Sequence, residues 1–250
     1  MATWPSTIQN GSSGYEVALA QSCLNEIANA GLTVDGAFGP GTKAKVQAFQ
    51  TANGLTADGI VGPNTWSKIF SATTRYIVRF QTGNSIPNDP ATPENDALYE
   101  SKVVVTRIDS SGITAVHTLQ GSIFPDDMST KGRVKNGWYR LKLGFHKRNG
   151  TPTAADLVVK TGSVDLRPAL IVNEDGNVPV TSNDPAKTES NAIHIHNGFN
   201  TERGSDGCQT IRPSQWSAFI SEYLTKYTAL ADWHQNGAYR GRDVGVLIIE

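Results

Sequence analysis

Residues 32–42 read Leu-Thr-Val-Asp-Gly-Ala-Phe-Gly-Pro-Gly-Thr, and residues 55–65 read Leu-Thr-Ala-Asp-Gly-Ile-Val-Gly-Pro-Asn-Thr. The pattern Asp-Gly-x-x-Gly-Pro-x-Thr recurs at a constant offset, which indicates an internal repeat. Each Asp-Gly pair predicts a tight turn, because the Asp side chain bonds nearby backbone and Gly adopts a positive φ. Pro40 and Pro63 predict the first turn of a helix, where a missing N–H does no harm. Each repeat therefore predicts a turn that leads into a helix.

Apolar residues at helical spacing predict three helices around these turns. The first is expected from about Tyr15 to Ala30, and Cys23 on it is expected to be a small buried core residue. The second and third follow the two repeats. Turn and core roles account for the repeat residues Gly36, Phe38, Gly39, Gly59, Val61 and Trp66.

The three helices and two turns resemble the peptidoglycan-binding domain of type 1 over residues 12–70, with Phe49-Gln50 closing the second helix. The resemblance implies a small all-α three-helix module that docks on bacterial peptidoglycan. The alternative is a generic helical domain. We predict two domains, at residues 1–70 and 76–250, with residues 71–75 as a linker of small residues.

Beyond the linker the sequence carries strand patterns. Apolar or alternating runs predict strands at residues 76–80, 101–108, 113–119, 137–143, 169–173, 192–196 and 244–249. Polar loops are predicted at residues 84–95 and 181–191. A helix is predicted from Pro213, with the apolar face Trp216, Phe219, Ile220, Tyr223 and Leu224. The second domain is thus expected to be mainly β with one or two helices.

The candidate active site is a cysteine that follows two histidines. Residues 193–198 read Ile-His-Ile-His-Asn-Gly, and residues 204–211 read Gly-Ser-Asp-Gly-Cys-Gln-Thr-Ile. In a strand His194 and His196 share a face, because the side-chain period is two. A cysteine nucleophile needs a base and backbone N–H groups for an oxyanion, and Gly207 allows close approach of the backbone. We therefore predict a reactive, partly exposed Cys208 with His196 as its base, or else His194.

This constellation is similar to the L,D-transpeptidase (YkuD-like) family. Residues 205–208 match its Ser/Thr-His-Gly-Cys loop with Asp206 in place of the His, His196 and Gly198 match its His-Gly strand end, and residues 135–141 match a Gly-x-Tyr strand weakly. The resemblance implies a β-sandwich-like catalytic domain in which Cys208 attacks a stem-peptide carbonyl and forms an acyl-thioester. The catalytic candidates are Cys208, His196, His194, Gly207 and Ser205, and the substrate-binding candidates are Asp206, Gln209, Arg212, Asn197 and Gly198.

Two departures bear on the fate of the thioester. The histidine-to-cysteine interval is short, and the Arg that follows the cysteine in the family is absent at Gln209 and Thr210, with Arg212 nearest. Residues 1–7 also lack the basic and apolar regions of a signal peptide. An endolysin-like enzyme that hydrolyses the cell wall, delivered by a holin or by injection, is therefore preferred. Transpeptidation with new cross-links is the alternative.

Two other classes stay open. His194, His196, Asp206 and Cys208 could bind zinc in an amidase or peptidase, although a third ligand at a familiar spacing is lacking. The second open class is a non-catalytic protein that binds the cell wall. Our preferred interpretation includes no metal and no cofactor, and it expects a monomer acting on the wall in the periplasm or outside the cell.

Composition argues against other partners. A net charge of −1 gives no case for nucleic acid, and no apolar run approaches the ~20 residues of a membrane span. His117, His146 and His234 are expected to be isolated surface or structural histidines, and Thr210 is expected to cap the last predicted helix.

Overall fold

A computed structural model of the protein describes residues 2–82, 98–126, 131–146, 151–158, 167–173, 177–190, 193–199, 207–235 and 240–250. The chain divides into two compact units. The first contains residues 1–77 together with 106–116, and the second contains residues 78–105 and 117–250. The predicted loop at 84–95 lies outside the described residues, as do Ser205 and Asp206.

Three helices build the first unit: α1 (Tyr15–Ala28), α2 (Pro40–Ala52) and α3 (Pro63–Phe70). The helices α2 and α3 both begin at the proline of their repeat, as the sequence predicts, after a glycine with extended backbone. The helix α1 ends two residues before the predicted Ala30, because Asn29 takes a left-handed conformation with φ 51° and stops it. Cys23 is fully buried, in agreement with its predicted core role.

The two repeats hold their turns with the same buried glutamine contact. Gln21 on α1 donates from Nε2 to Asp35 Oδ1 at 2.8 Å, and its Oε1 accepts from the Gly36 N–H at 2.9 Å. Gln50 on α2 does the same with Asp58 Oδ1 at 2.8 Å and the Gly59 N–H at 2.9 Å. Each helix therefore fixes the turn that leads into the next helix, which couples local turn chemistry to helix packing.

The second part of the chain is mainly β, as predicted. The strands are β1 (Arg75–Gln81), β2 (Ser101–Asp109), β3 (Gly112–Ser122), β4 (Arg133–Val134), β5 (Gly137–His146), β6 (Arg167–Val172), β7 (Val178–Thr181), β8 (Glu189–Ser190), β9 (His194–Asn197), β10 (Gln209–Ile211) and β11 (Arg240–Ile249). Eight of them close into a barrel in the order β1-β11-β5-β6-β9-β10-β3-β2, and β4-β7-β8 form a small separate sheet. The helices α4 (Pro213–Lys226) and α5 (Leu230–Trp233) follow β10.

The structure changes three details of this prediction. The sheet closes into a barrel, where the resemblance implied a sandwich-like arrangement. The strands that the sequence missed (β4, β7, β8 and β10) have two to four residues, too few for a periodic pattern. Strand β8 lies inside the loop predicted at 181–191.

Candidate active site

The two histidines of β9 lie on the polar face of the sheet. Strand β6 pairs antiparallel with β9 through Leu170–Ile195 and Ile171–His194, and Ile171 also pairs with Lys142 of β5. Since paired residues share a face, His194 lies on the side of Lys142. Ile195 lies on the opposite face, with the buried Leu170 and its partner Leu143.

A third histidine, His146 at the end of β5, completes a cluster that the sequence did not predict. Its ring stacks on that of His196 with centroids 4.1 Å apart, and its Nδ1 lies 3.1 Å from Nδ1 of His194. Strand β6 runs between β5 and β9, and it pairs Ala169 with Gly144 on the face that carries the histidines, so little side-chain bulk lies between these strands there. The expectation of an isolated His146 is therefore wrong.

Cys208 comes to the same face through a parallel strand pair. Strand β10 pairs with β9 through Gln209–Ile195, Thr210–His196 and Ile211–Asn197. When this register is extended by one residue towards the N-terminus, Cys208 lies beside His194 of β9. The preceding Gly207 has φ +126°, a conformation that favours glycine, and a Cβ there would approach the Gly132 carbonyl at 3.3 Å.

The thiol is more enclosed than the sequence suggested. Cys208 is only 7% exposed, and His194 and His196 are each 4% exposed. The prediction of a partly exposed thiol is therefore wrong. Cys208 follows Gly207, where a Cβ would lie within 3.6 Å of Gly132, Ile193 and Ser190, so neighbouring segments enclose this part of the chain.

The backbone defines the tautomer of His196. Its Nδ1 lies 2.8 Å from the carbonyl oxygen of Asn197. A carbonyl oxygen only accepts hydrogen bonds, so Nδ1 carries the proton and donates it there. In the neutral ring the basic lone pair is then on Nε2. This is the tautomer that a histidine needs in order to take a proton from a thiol through Nε2.

Several predicted substrate-binding residues lie elsewhere. Gln209 and Asn197 pair with Ile195 and Ile211, so both lie on the face opposite the histidines. The guanidinium of Arg212 is buried and donates to the side chain of Gln120. Gly198 donates its N–H to the Ile211 carbonyl at 2.9 Å. The strand register thus puts Cys208, His194 and His196 on one face and Gln209 and Asn197 on the other, and the roles of all these residues remain predictions.

The remaining polar candidates have structural surroundings. Thr210 belongs to β10 and makes no cap, since α4 begins after Arg212 without any side-chain cap. His117 lies 3.5 Å from Glu222.

Within the part of the chain that the structure describes, no group of three or more His, Cys, Asp or Glu side chains is arranged to hold a metal ion. No helix among the described residues is both long and apolar enough to cross a membrane.

The helices α1, α2 and α3, which we call the helical unit, line a separate pocket of about 560 Å³. Its walls come from the end of α1, from α2 and from α3, and its surface combines small apolar side chains with two lysines, Lys45 and Lys68. Phe49 is the aromatic residue of its lining. A pocket of this size accommodates a few residues of a peptide or one to two sugar rings.

Comparisons with known proteins agree with the sequence analysis for the helical unit. Residues 13–69 match the family model described as “Putative peptidoglycan binding domain”. No curated protein matches the chain. The predicted resemblance is thus confirmed for these residues, which are less than half of the chain.

Among solved structures, the Burkholderia AP3 phage endolysin is 40% identical over 27% of this chain and 26% of its own, with a TM-score of 0.26. The chain therefore spans about a quarter of that endolysin. The SleB N-terminal domain is 37% identical over 28% of this chain and 97% of its own, with a TM-score of 0.27. An L,D-transpeptidase from Xylanimonas cellulosilytica aligns over 100% of both chains at 17% identity, with a TM-score of 0.27. At these TM-scores the overall likeness is weak, so any functional argument about the strand-rich part of the chain depends on its own residues.

Proposed function

We propose that the protein is a peptidoglycan-active cysteine enzyme that hydrolyses stem peptides through an acyl-thioester on Cys208. The observation that supports this proposal is the parallel pairing of β9 with β10. Extended by one residue, its register puts Cys208 beside His194, on the face that carries the histidine cluster. The peptidoglycan substrate is supported by the match of residues 13–69 to a peptidoglycan-binding family. A thiol beside imidazoles supplies the nucleophile and the base that covalent peptide cleavage needs.

In the proposed reaction Nε2 of His196 takes the proton of the Cys208 thiol, and the thiolate attacks a stem-peptide carbonyl. The backbone N–H groups of Gly207 and Cys208 hold the oxyanion of the tetrahedral intermediate. The intermediate collapses to a thioester, and the imidazolium returns its proton to the departing amine. Water, deprotonated by the same imidazole, then attacks the thioester and releases a carboxylic acid and the free thiol.

The carbonyl of Asn197 and the ring of His146 position this base. The hydrogen bond from Nδ1 of His196 holds the required tautomer, and the stacked His146 ring restricts rotation of the imidazole. Nδ1 of His194 lies at hydrogen-bond distance, 3.1 Å, from Nδ1 of His146, so His194 contributes to the geometry of the cluster. We therefore give His196 the role of base and His146 and His194 positioning roles.

For the helical unit we propose that the pocket beside Lys45 and Lys68 binds an anionic stem-peptide segment. The two ammonium groups complement the carboxylates of such a peptide, and the apolar floor accommodates its small side chains. Sedimentation with purified sacculi tests this docking. The double change Lys45→Glu and Lys68→Glu should reduce the bound fraction, whereas Lys43→Glu, also on α2 but outside the pocket, should not. Equal sedimentation of both variants would reject the pocket.

Mass spectrometry of muropeptides tests the reaction. The wild-type chain should produce shortened stems, Cys208→Ala should produce none, and Cys23→Ala should retain activity because that thiol lies in the helical core. New cross-links without shortened stems would replace hydrolysis by transpeptidation. Activity that is lost with EDTA and restored by zinc would reject the thioester in favour of metal-dependent cleavage.

A further inference from the structure

Arg167 begins β6 beside the histidine cluster and is almost completely buried, with 5% exposure. It pairs with His146 across the β5–β6 ladder, so the two side chains share the polar face. Ala169, two residues further along β6, lies on the same face. The guanidinium therefore belongs to the same surface as the histidines and Cys208.

This buried cation has no counter-charge within the described residues. Its Nε has no hydrogen-bond partner there, and none of the ion pairs among those residues involves Arg167. Burial lowers the pKa of Arg167 below its usual value. The nearby Asp243, which pairs with Lys142 across β11 and β5, is already bound to Arg140 at 2.8 Å.

A buried charge without a partner destabilises a fold unless something binds it. Arg is suited to a carboxylate, because its planar fork donates two parallel hydrogen bonds to the two oxygens. Lys142 lies on the same face and adds to its positive potential. The surroundings of Arg167 are thus complementary to an anion.

We propose that Arg167 is a specificity residue that binds a carboxylate of the peptide substrate while Cys208 attacks a carbonyl of the same peptide. This rests on the proposed function. Strand spacings put the Cα atoms of Arg167 and Cys208 about 16 Å apart. After the lengths of the two side chains are subtracted, the carboxylate would lie about two or three residues from the attacked carbonyl. The ligand is therefore a short acidic peptide rather than a neutral glycan.

The test compares stem tetrapeptides with a free carboxylate and their amides. One substrate has both carboxyls free, a second is amidated at the C-terminus, and a third is amidated at its internal glutamate. The wild-type chain should prefer the free acid by about 10- to 100-fold in kcat/KM over one of the two amides, as expected for a charged hydrogen bond. The disfavoured amide identifies which carboxylate Arg167 binds.

Arg167→Gln should bring the ratio of kcat/KM for the free acid to that for the disfavoured amide close to one. Arg167→Lys should give an intermediate preference, because it keeps the charge without the fork. The control Arg79→Gln, an exposed arginine paired with Glu250, should retain the wild-type preference. An unchanged preference in Arg167→Gln would overturn the proposal.

Two further measurements separate this inference from its alternatives. Because Arg167→Gln removes an uncompensated buried charge, its melting temperature should be equal to or above that of the wild type; a clear fall would indicate a structural role and reject the proposal. Calorimetry with the full-length Cys208→Ala chain should show tighter binding of the free acid than of the amide, lost with Arg167→Gln. That result would support the carboxylate site even if the wild type cleaved no peptide, in which case only the proposed reaction would fail.

Discussion

Gln50 offers the sharpest test of how the helical unit is held together. Gln50→Met keeps the size of the side chain and its burial at 1% exposure but removes its polar atoms. The wild-type Nε2 donates to Asp58 Oδ1 at 2.8 Å and to the Ile60 carbonyl at 2.9 Å. Its Oε1 accepts from the buried Gly59 N–H at 2.9 Å. Methionine leaves that N–H without an acceptor inside the protein.

The expected cost follows from these contacts. An unsatisfied buried donor costs about 1–3 kcal/mol, and each further lost hydrogen bond costs about 1 kcal/mol. We expect the free energy of local opening at the second repeat to fall by about 3–5 kcal/mol. Exchange of the Gly59 amide in the full-length chain should then accelerate about 100- to 4000-fold, since 1.4 kcal/mol is a factor of ten.

Native-state hydrogen exchange measures this directly. Gln47→Met on the same helix is the matched control, because its side chain makes one exposed hydrogen bond, to the Ala57 carbonyl at 3.2 Å. It should lower the opening free energy by less than about 1 kcal/mol. Gln21→Met should reproduce the large effect at the first repeat. If Gln50→Met accelerated exchange no more than Gln47→Met, the idea that a buried amide holds each turn would be refuted.

Three other outcomes are expected. Hydrogen bonds from backbone N–H groups, and then from the glutamines, lower the pKa values of Asp35 and Asp58. The stability that these two carboxylates add to the fold is therefore present above their usual pKa near 3.8 and is lost as the pH falls through the lowered values. Acid titration of the helical unit by NMR measures this loss. Gly241→Ala should destabilise the fold by about 1–3 kcal/mol in urea denaturation, because its Cβ would overlap a backbone carbonyl of α5, whereas Gly41→Ala, with open space around it, should not. His146→Ala should remove the stacked ring and reduce turnover by at least about tenfold, with KM little changed; equal activity would remove His146 from the positioning of the base.

Local chemistry in the sequence determined the helical unit. The Asp-Gly turns, the prolines at the starts of α2 and α3 and the apolar spacing of the helices all act within a few residues of one another. The same is true of the longer strands and of α4, whose periodic patterns predicted them. The histidines of β9 and the Gly-Cys pair were also readable, because they lie within fifteen residues of one another.

Tertiary structure alone decided how distant segments meet. His146 reaches His194 across 48 residues of sequence, and Arg167 becomes a candidate only because strand pairing buries it beside His146. The same pairing turned Gln209 and Asn197 away from the thiol, since side chains of adjacent strand residues point to opposite faces. Closure of the barrel and register between strands depend on contacts between distant parts of the chain, and no local propensity encodes them.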